Sequence, residues 1–177
     1  SCSVCGEKDP NYVAPEVPVV SGGRADLETM DPGTTNGGYG QYDKDFTSAT
    51  GWTTDNAAIQ VGGSSDANPV FIFFGAGNKA VCINGKVGAS GVLSSPVLSG
   101  GIDKLTFNYG HAFSDKNGVN INVTITEVAT GKAIVLNLVV EAANIVQKTA
   151  YVAEFVLEAP IAGDFTIVFT NNSPSNS

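Results

Sequence analysis

Residues 94–109, SSPVLSGGIDKLTFNY, constrain the fold more than any other stretch of the chain. Ser94, Ser95 and Pro96 close one extended segment, and Ser99, Gly100 and Gly101 make a turn. Leu105, Phe107 and Tyr109 then alternate with Lys104, Thr106 and Asn108. A helix brings residues three or four apart onto one face. A period of two instead sends one set of side chains into a core and the other into water, which is the mark of a strand. We therefore expect a strand pair here, with the remaining segments acting as its partners.

The same period recurs along the chain. Val119, Ile121, Val123 and Ile125 alternate with Asn120, Asn122, Thr124 and Thr126, the cleanest strand pattern present. Tyr151, Ala153, Phe155 and Leu157 form another such set, and Phe165, Ile167 and Phe169 a third. Residues 25–30 alternate more weakly, residues 56–61 and 133–141 read as extended, and residues 70–74 (VFIFF) suit a strand buried on both faces. Residues 80–83 lead into Asn84 and Gly85, a dipeptide favoured in two-residue hairpin turns. Thr130-Gly131-Lys132 and Gly163-Asp164 mark further turns, and residues 141–147 suit one short helical turn. The count is about nine or ten short strands with no substantial helix, which predicts an all-β antiparallel sandwich of jelly-roll type.

With 177 residues the chain fits a single domain, and it divides into a tether at 1–20 and a sandwich domain at 21–177. The 21 glycines match short strands joined by tight turns. Seventeen acids against nine bases give a net charge of −8, which repels a phosphate backbone, and no basic cluster offsets it. Nucleic acid is therefore excluded as a partner. No apolar run approaches the roughly 20 residues that span a bilayer.

Three cysteines are an odd count and argue against a disulfide framework. Cys2 and Cys5 form a CxxC in the tether, with neither a second ligand pair for zinc nor a βα context for redox chemistry. A processed N-terminus, lipid-modified at Cys2 and followed by a Pro-rich spacer, is the better reading.

Catalytic signatures are weak. Residues 75–80, GAGNKA, match a GxGxxA dinucleotide fingerprint, but that motif needs a helix to begin there and the pattern continues as strand. His111 is the single histidine, no GxSxG elbow surrounds a serine, and no spacing singles out a pair of glutamates for glycoside hydrolysis. The expectation is a protein that is not an enzyme.

The long polar loop at 31–51, DPGTTNGGYGQYDKDFTSATG, is the strongest candidate site, since loops of this length inside a domain are usually functional or disordered. Tyr39, Tyr42 and Phe46 lie in it and Trp52 follows it. Flat rings with polar handles stack on sugar faces, which makes these four the candidate ligand-binding residues. For Trp52 the competing role is closing one end of the core, as a large apolar ring commonly does. Asp26, Glu28, Asp31, Asp55 and Asn56 offer hard oxygens for a structural calcium; solvated turn carboxylates are the simpler reading, and no other cofactor is implied.

GRADLET, TSATGWTTDNAAI, GKVGASGVLSSPVLSGGIDKLTFNYG and GDFTIVFTNNSPSNS together resemble β-sandwich modules of Bacteroidetes surface lipoproteins across residues 21–177. That sandwich is similar to carbohydrate-binding and adhesin-type modules. The resemblance implies a lipid anchor at or near Cys2 and a location at the outer-membrane surface or outside the cell. In the family pattern a basic segment and a final aromatic strand follow NNSPSNS, which implies that the sandwich lacks a strand or that another chain or a further segment fills its place; left unfilled, an edge beside residues 165–169 would invite pairing. Two functions are expected from all this: a non-catalytic surface module that binds glycan through loop aromatics, or an accessory lipoprotein subunit of an outer-membrane protein complex.

Overall fold

The computed structural model describes residues 51–61, 79–85, 88, 90–111, 118–146 and 149–173. Within them lie nine strands: β1 Thr53–Asp55, β2 Ala57–Val61, β3 Lys79–Ile83, β4 Val92–Ser94, β5 Ile102–Tyr109, β6 Val119–Glu127, β7 Ala133–Val140, β8 Tyr151–Ile161 and β9 Phe165–Asn171. A single 3₁₀ turn at Ala142–Asn144 is the helical piece among the described residues. Every strand pairing is antiparallel, so the protein is all-β as its period-two patterns predict. The expected strands at residues 25–30 and 70–74 lie outside the described residues.

One sheet has five strands in the order β1-β4-β9-β6-β7, while β5 pairs with β8 and β2 with β3. Alternation places Val119, Val123 and Ile125 of β6 and Phe165 and Ile167 of β9 on one buried face. Ile102 of β5 with Leu157 and Ile161 of β8 joins this face in a single core cluster. The two-stranded β5–β8 sheet thus lies over β6 and β9, and Phe107 meets Phe169 edge-to-face across the gap at 5.1 Å between ring centroids. Burying each such aliphatic or aromatic side chain contributes about 1.5–3 kcal/mol.

Three expectations change in detail. Residues 94–109 do not form a strand pair: β4 belongs to the five-stranded sheet and β5 to the other. The chain passes between them through Gly101, at φ +76°, where a Cβ would lie 3.1 Å from Ala162. Asn84 and Gly85 do not close a hairpin either, because neither takes the positive φ that a type I′ turn requires and β3 pairs backwards with β2. Finally, among the described residues β9 is no open edge: β6 pairs with all of it, and on its other side β4 pairs at Val168–Thr170, Ser95 N donates to Ile167 O and Leu98 bridges Phe165.

Two local devices preserve the pairing where the pattern breaks. After β4 ends, the Ser95 hydroxyl accepts from Ile167 N at 2.7 Å and donates to Pro96 O at 2.7 Å, keeping β9 satisfied beside a proline. In the β5–β8 pair the register shifts between Ile102 and Lys104, so that four β8 residues stand against one of β5. Pro160 sits in that interruption, where a missing N–H costs no ladder bond.

Replacing Ile125, fully buried on β6, is expected to cost about 2–5 kcal/mol as Ile125→Ala. Val156→Thr, on the outer face of β8, should stay within about 0.5 kcal/mol. Equilibrium urea unfolding of both variants checks the assignment of inner and outer faces.

Candidate functional site

The 31–51 loop joins the described structure at Gly51 and Trp52. Trp52 is 5% exposed and packs with Leu93 in a second cluster that includes Val81, Ile83, Leu98 and Phe169. Leu98 and Phe169 also border the main core, so the indole fastens the root of the loop to both. On β1 the alternation continues: Thr54 is buried beside Trp52, while Thr53 and Asp55 are exposed. Trp52 is therefore a packing residue here, the role weighed against sugar stacking. Tyr39, Tyr42, Phe46, Cys2, Asp26, Glu28 and Asp31 lie outside the described residues.

Asp55 and Asn56 sit where three backbone segments converge. Asn56 takes φ 49°, and its carbonyl accepts from Asn84 N at 3.0 Å. Gly91 N donates to Asn84 O at 2.6 Å and Asn171 N to Gly91 O at 2.9 Å. The Asn171 amide adds a bond from Nδ2 to Ile83 O at 2.8 Å. A Cβ on Gly91 would lie 2.7 Å from Asn56 O, so only glycine fits. Asp55 offers one exposed carboxylate at this end, and no group of three His, Cys, Asp or Glu able to hold a metal occurs among the described residues.

A feature that the sequence analysis did not single out is an aromatic ladder on the inner face of β5 and β8. Tyr109 and Tyr151 are cross-strand partners whose rings stack at 5.5 Å and 26°. Phe107 contacts Tyr109, Phe155 and Phe169. Tyr151 Oη accepts from Val146 N at 2.8 Å, fixing the stretch after the 3₁₀ turn. Burial, and secondarily the Tyr151 hydroxyl, push the Tyr109 phenol above its ordinary pKa of 10.0. The signal was present in the sequence, since both tyrosines sit in the alternating sets, but which ones face each other depends on register.

At the opposite end, Glu127, Lys132, Ile134, Ala159, Pro160 and Ile161 line a hollow of about 60 Å³. That is room for a few waters and not for a sugar ring. The Thr130 hydroxyl donates to the Glu127 carboxylate, closing the β6–β7 turn in which Gly131 has φ 69°. No protein-family model matches the chain, and no curated protein or solved structure matches it.

Two outcomes follow from these placements. Trp52→Ala should destabilise the fold by about 3–5 kcal/mol in urea unfolding, as for other buried large aromatics. The second concerns alkaline pH: with its folded pKa raised, Tyr109 keeps its proton longer in the folded than in the unfolded state. Its contribution to stability is complete below pH about 10 and is lost as pH rises toward and through the folded pKa. Tyr109→Phe should therefore lessen the loss of stability above that pH, measured by thermal unfolding across an alkaline series.

Proposed function

We propose that the protein is a non-catalytic cell-surface module of jelly-roll type that binds glycan through Tyr39, Tyr42 and Phe46 of the 31–51 loop. The observation that supports this most is the root of that loop. A 21-residue, glycine-rich stretch bearing three aromatic rings enters the sandwich at a buried tryptophan, through Gly51 at φ +86°, where a Cβ would lie 3.3 Å from Pro96. Binding residues commonly sit on loops that a rigid scaffold positions. Tyrosine suits the task, because its ring stacks on sugar C–H groups while its hydroxyl reaches polar neighbours. The 1–20 tether and a lipid anchor at Cys2 would hold the module at an outer-membrane surface.

A second reading, an accessory subunit of an outer-membrane protein complex, is favoured by the outer face of β8. Val152 and Val156 are 66% and 71% exposed there, in a short row that also carries Glu154 and Glu158. Apolar side chains grouped on a sheet face with charged neighbours suit a protein partner.

Affinity electrophoresis through gels holding a panel of polysaccharides tests the first reading. Retardation should appear on at least one glycan and be lost in Tyr39→Ala and Tyr42→Ala, while Trp52→Phe retains it. Mobility unchanged on every gel, together with a stoichiometric protein co-purifying with the native module, would favour the second reading instead.

A further inference from the structure

The two edges of the five-stranded sheet are built differently. β1, at one edge, is three residues long and carries Asp55, which suits an edge guarded by brevity and charge. β7, at the other, is eight residues long with the sequence AIVLNLVV. It contains no charge and no proline, and it pairs with β6 through eight consecutive positions without a bulge. Among the described residues, β6 is its single strand partner. Its outward side chains include Val135 and Val139, 55% and 60% exposed. A long, flat, apolar edge strand is a template for another strand.

We propose that the occupant of this edge is a second copy of the chain, with the two β7 strands antiparallel about a two-fold axis at Asn137. The register follows from the sequence. With Asn137 opposite the partner's Asn137, Val135 falls opposite the partner's Val139, and Val139 opposite the partner's Val135. The two exposed valines of each copy then become cross-strand pairs flanking an amide pair, while on the inner side Leu136 meets the partner's Leu138. Such directly opposed β-branched and aliphatic pairs are the unit of sheet stabilisation.

Charge selects this occupant and orientation. Lys132 stands just before β7 and Glu141 just after it, both exposed. In this antiparallel register Lys132 falls opposite the partner's Ala142 and Glu141 opposite the partner's Ala133, so opposite charges lie one position apart at both ends. Parallel pairing would set like against like. Two chains of net charge −8 repel in general. Along β7 itself that repulsion has no local source. The arrangement is isologous and closed, giving one continuous sheet whose remaining edges are the two short β1 strands. It stands independently of both readings of function above.

Sedimentation velocity on the full 177-residue chain tests the proposal. The wild-type protein should sediment as a dimer. Asn137→Lys and Asn137→Asp each place like charges directly opposite on the axis, and each should weaken association at least about tenfold. Asn137 is exposed, so far-UV circular dichroism of both variants should match wild type, as should their urea midpoints at a protein concentration low enough for wild type to be monomeric. Mixing the two variants in equal amounts pairs lysine with aspartate and should restore the dimer. A monomeric wild type, as when another part of the chain or a foreign strand covers β7, would overturn the proposal. So would an assembly larger than a dimer, a dimer that survives both substitutions, or a mixture that stays monomeric.

Discussion

The packing of β5 and β8 against β6 and β9 is the interaction on which the remaining structure depends. Two strands alone are marginal in water; among the described residues β5 and β8 pair only with each other, and they gain stability from the apolar face they present to the larger sheet. Seven buried side chains, Ile102, Val123, Ile125, Leu157, Ile161, Phe165 and Ile167, form the contact. β6 and β9 are suited to its centre because each has a hydrogen-bonded neighbour on both sides. Leu98 and Phe169 extend the contact to Trp52 and Leu93, so the entry of the 31–51 loop is mechanically linked to the same core.

Strand content was legible in the sequence where alternation was clean. Ile121, Val123 and Ile125 face inward between Asn122, Thr124 and Thr126 as their spacing requires, and the turns at Gly131 and Gly163 fall where glycine marks them. Which strands pair was less legible, because alternation reports a face and not a neighbour. Ser94 and Ile102 are eight residues apart and lie in different sheets, a separation that the glycines at 100 and 101 permit without announcing. Asn84 and Gly85 misled for a related reason: their hairpin propensity is overridden by the pairing of β3 with β2 and the bond from Gly91 N to Asn84 O. The edge expected beside residues 165–169 came from a family pattern, and β4, Ser95 and Leu98 fill it.

The candidate site was legible only as residue chemistry. Tyr39 and Tyr42 were identified because amphipathic rings among glycines suit a sugar face, a property of composition that needs no coordinates. Trp52 shows the limit of that reasoning, since the same ring serves stacking or burial and its 5% exposure assigns it to burial. Tyr109 and Tyr151 show the converse: their stack depends on a register between residues 42 positions apart, and no local signal encodes it. On the outer side of the larger sheet, β6, β7 and β9 present Asn, Thr, Val and Ala with no charge, although the chain as a whole is acidic. Among the described residues charge falls instead on loops, on β5 and the outer face of β8, at the Glu127 end of β6 and on the short edge strand.

A double-mutant cycle between Phe107 and Phe169 tests the face-to-face packing most directly, because the two rings belong to different sheets and touch edge-to-face. Urea unfolding of Phe107→Leu, Phe169→Leu and the double variant should give a coupling of about 0.5–1.5 kcal/mol, as for other aromatic pairs. Effects that add to within about 0.3 kcal/mol would place the rings apart and contradict the sandwich described.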